Sequence, residues 1–247
     1  MKKILSKAYC INLDTRQDRW IATRNQFKKN FPDGFKLTRF SAFSDQNSRI
    51  GCARSHLELI RMAKMEDWDS LFVIEDDVDL ATDSYPILEE AYENLPRNWD
   101  ILLGGIYDTP LSDNIRGRLY KTIYLQGTHF LIYNRNSYDA VLSYDERPLG
   151  FDDFLSYLAI TKGIDIYHIA PPIAWQRAGF SDIKKELFDW QDENHCMKND
   201  YTLQNKVYRN LYEGKIEDAR ENANGIEDAH TKEQAFIVIE KYKKQSY

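Results

Sequence analysis

The stretch 70–79, Ser-Leu-Phe-Val-Ile-Glu-Asp-Asp-Val-Asp, decides the fold: Leu71, Phe72, Val73 and Ile74 run unbroken into Glu75, Asp76 and Asp77. Four consecutive apolar residues bounded by polar ones predict a strand buried on both faces, as in a sheet covered by helices on either side. The carboxyl ends of such strands open onto the crevice where ligands bind in α/β folds. Three adjacent carboxylates there repel one another unless a cation or protons intervene. A hard divalent ion, Mg²⁺ or Mn²⁺, suits oxygen ligands. The bland alternative is an acidic turn exposed to solvent. A receiver domain also places acidic pairs at strand ends, but its first pair belongs after the first strand, where this chain has Asn12-Leu13-Asp14.

Outward from this stretch, strands and helices alternate. The apolar run 7–14 predicts a strand, 16–30 a helix with Trp20 and Phe27 on one side, 35–43 a strand, 44–49 a turn and 51–65 a helix. Farther on, 84–94 predicts a helix, 100–104, 119–126 and 128–133 strands, 136–142 and 152–161 helices, and 165–169 a strand before Pro171-Pro172. This alternation implies an α/β fold around a mostly parallel sheet. Beyond Lys184 strand signals vanish, and 203–212, 216–222 and 232–244 read as amphipathic helices. The expected organisation is a main domain over 1–183 and a helical extension over 184–247.

Composition narrows the function classes. With 247 residues, 43% hydrophobic and 29% charged, the chain is long and apolar enough to bury a core. A formal net charge of −6 argues against a basic surface that wraps nucleic acid. Cys10, Cys52 and Cys196 show no metal-type spacing, so neither a zinc site nor a disulfide framework is expected, and a reducing, cytoplasmic setting fits. Lys7 and Asp14 interrupt any apolar run at the amino end, so no signal peptide or transmembrane segment is expected.

Several motifs lie in a fixed order: Ile11-Asn12-Leu13 with Arg16, Asp18 and Arg19; Gly51-Cys52 with Ser55 and His56; Glu75-Asp76-Asp77-Val78; the strand 100–104; Thr128-His129; Asp152-Asp153-Phe154-Leu155; and Gln176 with Ser181-Asp182-Ile183. Together they resemble glycosyltransferase family 25, which includes lipooligosaccharide and collagen galactosyltransferases. The resemblance spans 8–183 and leaves the helical tail outside. In one departure, Arg49-Ile50 precede Gly51 where the family usually carries Glu, which bears on donor sugar or local charge. The resemblance implies a GT-A-like nucleotide-sugar fold, a UDP-sugar donor, a divalent metal (Mn²⁺ or Mg²⁺) and inversion at the anomeric carbon.

Roles follow residue by residue. Arg16 and Arg19 suit a diphosphate because guanidinium forks match its oxygens, and two arginines in a first helical turn oppose the helix dipole. Asn12 is a candidate nucleotide contact or a turn former. Ser55 and His56 are expected near a helix amino end, where amides attract anions; by residue type His56 reads as a packing histidine, and the resemblance implies that it orients ribose or phosphate. Gly51 permits a close backbone approach, and Cys52 reads as a small core residue. Asp77 and then Glu75 are the expected metal ligands, while His129 completes the shell, contacts the donor or is a buried structural histidine. Asp76, pointing the other way along an extended segment, is assigned to sugar or ribose hydroxyls. Asp152 or Asp153 is the expected general base that takes the acceptor proton; as Asp residues at a helix start, both also suit simple capping. Gln176, Ser181 and Asp182 are assigned to a flap over the donor. The acceptor is a glycan, a protein hydroxyl or a hydroxylated DNA base, with a glycan foremost. An inactive nucleotide-sugar-binding module is the alternative.

Overall fold

Strand β3 carries the deciding apolar run, and its side chains divide between two cores. Leu71 and Val73 join a cluster with Leu57, Ile60, Leu155 and Tyr208, while Phe72 and Ile74 join another with Phe27, Phe31, Leu88 and Trp99. Burial on both faces is why the run is apolar throughout rather than alternating. The computed structural model describes residues 5–106, 112–145, 149–181, 186–188 and 198–245. In chain order the elements are β1 (Lys7–Asn12), α1 (Gln17–Asn30), β2 (Lys36–Ser41), α2 (Ser48–Met65), β3 (Ser70–Glu75), β4 (Val78–Leu80), α3 (Ser84–Asn94), β5 (Ile101–Leu103), β6 (Asp113–Arg116), β7 (Leu119–Thr122) and β8 (Phe130–Asn134). There follow α4 (Tyr138–Leu142), α5 (Phe151–Lys162), β9 (Ile166–Ile169), β10 (Ala174–Gln176), β11 (Gly179–Ser181), β12 (Glu186–Phe188), α6 (Lys198–Tyr212), α7 (Ile216–Gly225) and α8 (Ala229–Gln245).

The main sheet has the order β2-β1-β3-β8-β5-β9-β7-β6. The fold is mixed α/β with a largely parallel central sheet: β7 and β8 alone run against the other strands of that sheet. The reversal of β8 has a consequence for the site. Ile74 pairs with Phe130, and the Glu75 amide donates to the His129 carbonyl at 3.0 Å. The start of β8, with Thr128 and His129, therefore sits at the same sheet edge as the ends of β1, β2 and β3.

Several boundaries differ from the sequence reading. Asn47 caps α2 by accepting the Arg49 amide, so the helix begins at Ser48 and uses part of the expected turn 44–49. The strand expected over 119–126 stops at Thr122, whose hydroxyl accepts the Tyr124 amide and donates to the Tyr124 carbonyl, turning the chain. The short strands β4, β6, β10, β11 and β12 were not anticipated. β12 lies beyond Lys184, where only helices were expected; three residues carry too little alternation to register as a strand. Helices α6 to α8 bring Val207, Tyr208, Leu211, Val238 and Ile239 into the same cluster as Leu71 and Leu155.

Candidate active site

The acidic stretch does not continue as an extended strand. β3 ends at Glu75, Asp76 and Asp77 form a turn, and β4 begins at Val78. Strict alternation of the carboxylates therefore fails. Asp76 and Asp77 both reach Arg19, at 3.1 and 3.3 Å, while Glu75 faces a different set of partners. Asp76 is buried; it accepts the Asn12 side-chain amide at 2.6 Å, and its carbonyl accepts the Thr23 hydroxyl at 2.7 Å. Burial raises the Asp76 pKa, and the bonds from Asn12 and Arg19 offset part of the rise. Asp76 is thus tied to Asn12 and Arg19 inside the protein.

Asp77 is differently placed. Its Oδ1 is buried with no hydrogen-bond partner among the described residues, and burial followed by the charge of Glu75 pushes its pKa up to about 7. Asp77 lines a pocket of about 220 Å³ together with Arg16, Asp18, Arg19, Ala22, Arg177 and Ala178. Its lining holds three guanidinium groups and two carboxylates, Asp18 and Asp77, and guanidinium forks are suited to phosphate oxygens. Arg177 escaped the sequence reading. It is fixed by the unanticipated pairing of β10 with β4, in which Gln176 opposes Val78. The Arg177 guanidinium donates to Asp79 at 2.8 Å and to the Val78 carbonyl at 3.0 Å. Arg16 donates to the exposed Asp18 through two nitrogens, both at 3.1 Å.

Asn12 is fully engaged inside the protein. Besides Asp76, its amide donates to the Arg16 carbonyl at 2.8 Å, and its Oδ1 accepts Arg39 at 2.6 Å. It ties the ends of β1, β2 and β3 together and, through the Arg16 carbonyl, shapes the turn that leads into α1. Ser55 is similarly committed, donating to the Gly51 carbonyl at 2.8 Å and accepting the Phe43 amide at 2.9 Å. Because α2 starts at Ser48, Ser55 and His56 lie two turns into the helix, away from its amino end. Gly51 meets its expectation: a Cβ there would lie 2.5 Å from the Phe43 carbonyl oxygen.

Glu75 accepts the Thr128 hydroxyl at 2.5 Å and lies 3.6 Å from His56 Nε2 and 3.7 Å from Cys52 Sγ. Burial alone would raise its pKa, but His56 and Thr128 bring it below the usual glutamate value. His129 is buried with Nε2 3.3 Å from the Ala174 carbonyl, and burial lowers its pKa. The expected metal set of Glu75, Asp77 and His129 is thus split among different partners.

The two aspartates at the start of α5 also separate. Asp152 Oδ1 accepts the Asp153 amide at 3.0 Å, and its Oδ2 accepts the Gly127 amide at 3.4 Å. Gly127 directly precedes Thr128, which bonds Glu75, so Asp152 lies on the side of the acidic edge. Burial raises the Asp152 pKa, and the two amides pull it back. Asp153 turns into the protein, where Gln204 and Tyr208 of α6 donate to it at 2.7 and 3.0 Å. Burial and the neighbouring Asp152 raise its pKa well above the aspartate range. Gln234 of α8 accepts the Gly150 amide at 2.8 Å, and Arg49 contacts His230 of the same helix. Of the late block, Gln176 closes β10 beside the pocket and Ser181 ends β11, while Asp182 lies outside the described residues.

The sequence model of glycosyltransferase family 25 (LPS biosynthesis protein) matches residues 46–217. The chain belongs to glycosyltransferase family 25. It is accordingly a glycosyltransferase, and the match runs through α6, which the motif comparison had left outside. Residues 8–45, with Asn12, Arg16 and Arg19, precede the matched segment. No curated protein sequence matches the chain. By structure it is similar to a protein from STIV, at 14% identity and TM-score 0.41, over 76% of this chain and 95% of that one. It is also similar to GalNAc-T7 in a crystal structure with UDP, GalNAc and Mn²⁺, at 10% identity and TM-score 0.45, over 83% of this chain and 50% of that one. A third likeness is to the mannosyltransferase PcManGT from Pyrobaculum calidifontis in complex with GDP-Man and Mn²⁺, at 8% identity and TM-score 0.44, over 94% and 73%. No described helix of this family 25 chain is long and apolar enough to cross a membrane.

Proposed function

We propose that this family 25 enzyme moves a sugar, galactose or a related hexose, from a UDP-sugar to a glycan hydroxyl with inversion at the anomeric carbon. The observation that carries the reading is the pocket formed by Arg16, Arg19, Arg177 and Asp77 beside the ends of β1 and β3. The arginines bind and orient the diphosphate, and Arg177 holds the wall that β10 contributes. The buried Oδ1 of Asp77 has no hydrogen-bond partner among the described residues, which supports it as the atom that meets an added cation. Asp77 is the proposed protein ligand for Mn²⁺ or Mg²⁺, in the manner of ions held by one carboxylate and substrate phosphates. Such an ion, when bound, would neutralise charge gathering on the departing diphosphate.

Asp152 is the proposed base. The acceptor oxygen attacks the anomeric carbon from the face opposite the diphosphate; the new C–O bond forms as the bond to UDP breaks, and the hydroxyl proton passes to Asp152. Asp153, whose carboxylate accepts Gln204 and Tyr208 of α6, is assigned an architectural role in this reading. The free thiols of Cys10 and Cys52 suit a reducing compartment, and we place the reaction in the cytoplasm.

Thermal stability with a panel of nucleotide sugars, with and without Mn²⁺, tests the reading. A UDP-sugar at a hundred times its Kd stabilises by about 2.7 kcal/mol, or roughly 5–10 °C for a chain of this size. The shift is expected to need Mn²⁺, to shrink in Asp77→Ala and to weaken in Arg177→Ala. No shift with any nucleotide sugar would move the function to a partner-binding module.

A further inference from the structure

Cys52 and His56 stand four residues apart on α2, so their side chains share one helix face. That face meets the end of β3 at Glu75, and a sulfur, an imidazole nitrogen and a carboxylate oxygen all lie within 4.8 Å of one another. The Cys52 thiol donates a long hydrogen bond to Glu75 Oε1 at 3.7 Å, and His56 Nε2 lies 3.6 Å from the same oxygen, so all three atoms converge on one point. A tetrahedral zinc-class ion, with bonds of about 2.3 Å to sulfur and 2.0–2.2 Å to nitrogen and oxygen, sets its ligands about 3.4–3.6 Å apart. His56 is fully buried, and its Nε2 has no hydrogen-bond partner among the described residues. Its other nitrogen lies 3.1 Å from the Tyr133 hydroxyl, and Glu75 Oε1 accepts the Thr128 hydroxyl at 2.5 Å. These are the supports that orient metal-binding imidazoles and carboxylates.

We propose that Cys52, His56 and Glu75 form a second cation site, selective for a borderline-soft divalent ion such as Zn²⁺ and separate from the donor ion assigned to Asp77. Sulfur and imidazole ligands favour zinc over magnesium or manganese. Three protein ligands leave a fourth position open. Binding displaces the thiol proton, since burial and the Glu75 charge otherwise keep Cys52 protonated. The ion would pin α2 to the end of β3, and with it the carboxylate nearest the acidic turn. The proposal does not depend on the UDP-sugar reading.

Chelator-treated, reduced full-length protein is titrated with Co²⁺ in the absence of nucleotide and followed by absorption. One equivalent is expected to give a near-ultraviolet thiolate-to-cobalt band and the intense visible bands of four-coordinate cobalt. The sulfur band is expected to vanish in Cys52→Ser, to persist in Asp77→Ala, and to need about tenfold more Co²⁺ in Tyr133→Phe. A wild-type spectrum without a sulfur band, or a band that survives Cys52→Ser, overturns the site. X-ray absorption on the zinc-loaded wild type needs no variant: one sulfur at about 2.3 Å supports the site, and an all-oxygen shell refutes it. Loss of UDP-sugar binding with the sulfur band intact would sink the donor-site reading alone.

Discussion

Substituting Asp152 and Asp153 by Asn, one at a time, separates catalysis from architecture within a single helical turn. In Asp153→Asn, the side-chain oxygen that accepts Gln204 and Tyr208 is retained. Burial already disfavours a charge at this position, so the neutral amide removes little. The expected cost is about 1 kcal/mol, or roughly 2–4 °C in Tm, with transfer activity kept within a few-fold. Asp153→Leu, in contrast, strands the Gln204 donor, while Tyr208 keeps the Asp153 backbone carbonyl at 3.1 Å, and should cost about 1–3 kcal/mol, the cost of one unsatisfied group. Asp152→Asn keeps an acceptor for the Asp153 amide but loses the 3.4 Å bond from the Gly127 amide and the charge at the helix start, together worth about 1–2.5 kcal/mol. Its melting temperature should fall by roughly 2–10 °C with the fold retained. Its kcat should fall about 10²- to 10⁴-fold, the usual contribution of a positioned base. Release of UDP in the presence of acceptor gives the rate, and a melting curve on the same sample shows that the fold is intact. Equal loss of activity in the two Asn variants, both folded, would refute the assignment of the base.

Arg19→Ala leaves Asp76 and Asp77 without their shared cation, and urea unfolding should show a loss of about 3–5 kcal/mol together with weaker nucleotide binding. Gly51→Ala sets a methyl 2.5 Å from the Phe43 carbonyl, with an expected destabilisation of about 1–3 kcal/mol read from Tm. His168 is fully buried, and burial lowers its pKa to about 4. The unfolded chain binds that proton more readily, so stability falls as pH drops from about 6.5 towards 4, by up to about 3 kcal/mol. His168→Phe should flatten that limb in urea titrations across the window, and an unchanged limb would exonerate the histidine.

Much of the fold was legible because it depends on local pattern. The run 71–74 had to be a doubly covered strand, and helices such as 84–94 follow directly from their periodicity. The acidic cluster after β3 was legible for the same reason, as were the two aspartates that open α5. What each carboxylate faces was not legible, because three adjacent residues share every local signal. Ending β3 at Glu75 sends that side chain towards α2 and sends Asp76 and Asp77 towards Arg19. Arg177 was missed for a related reason. Only the three-residue pairing of β10 with β4 carries it to the pocket, and that pairing has no local signature.

Cys52 and His56 did leave a trace, since their spacing of four marks a common helix face, but a spacing cannot reveal the strand it meets. The sequence by itself determined the α/β class, the acidic strand end and the family motifs, since these follow from burial and backbone geometry along a few residues. Tertiary structure alone decided which of those polar groups are satisfied internally, as Asn12, Ser55 and Asp153 are, and which keep an atom without a hydrogen-bond partner among the described residues, as Asp77 and His56 do. Hydrogen-bond satisfaction is settled by partners far apart in the chain, and those partners meet only when the sheet and helices close.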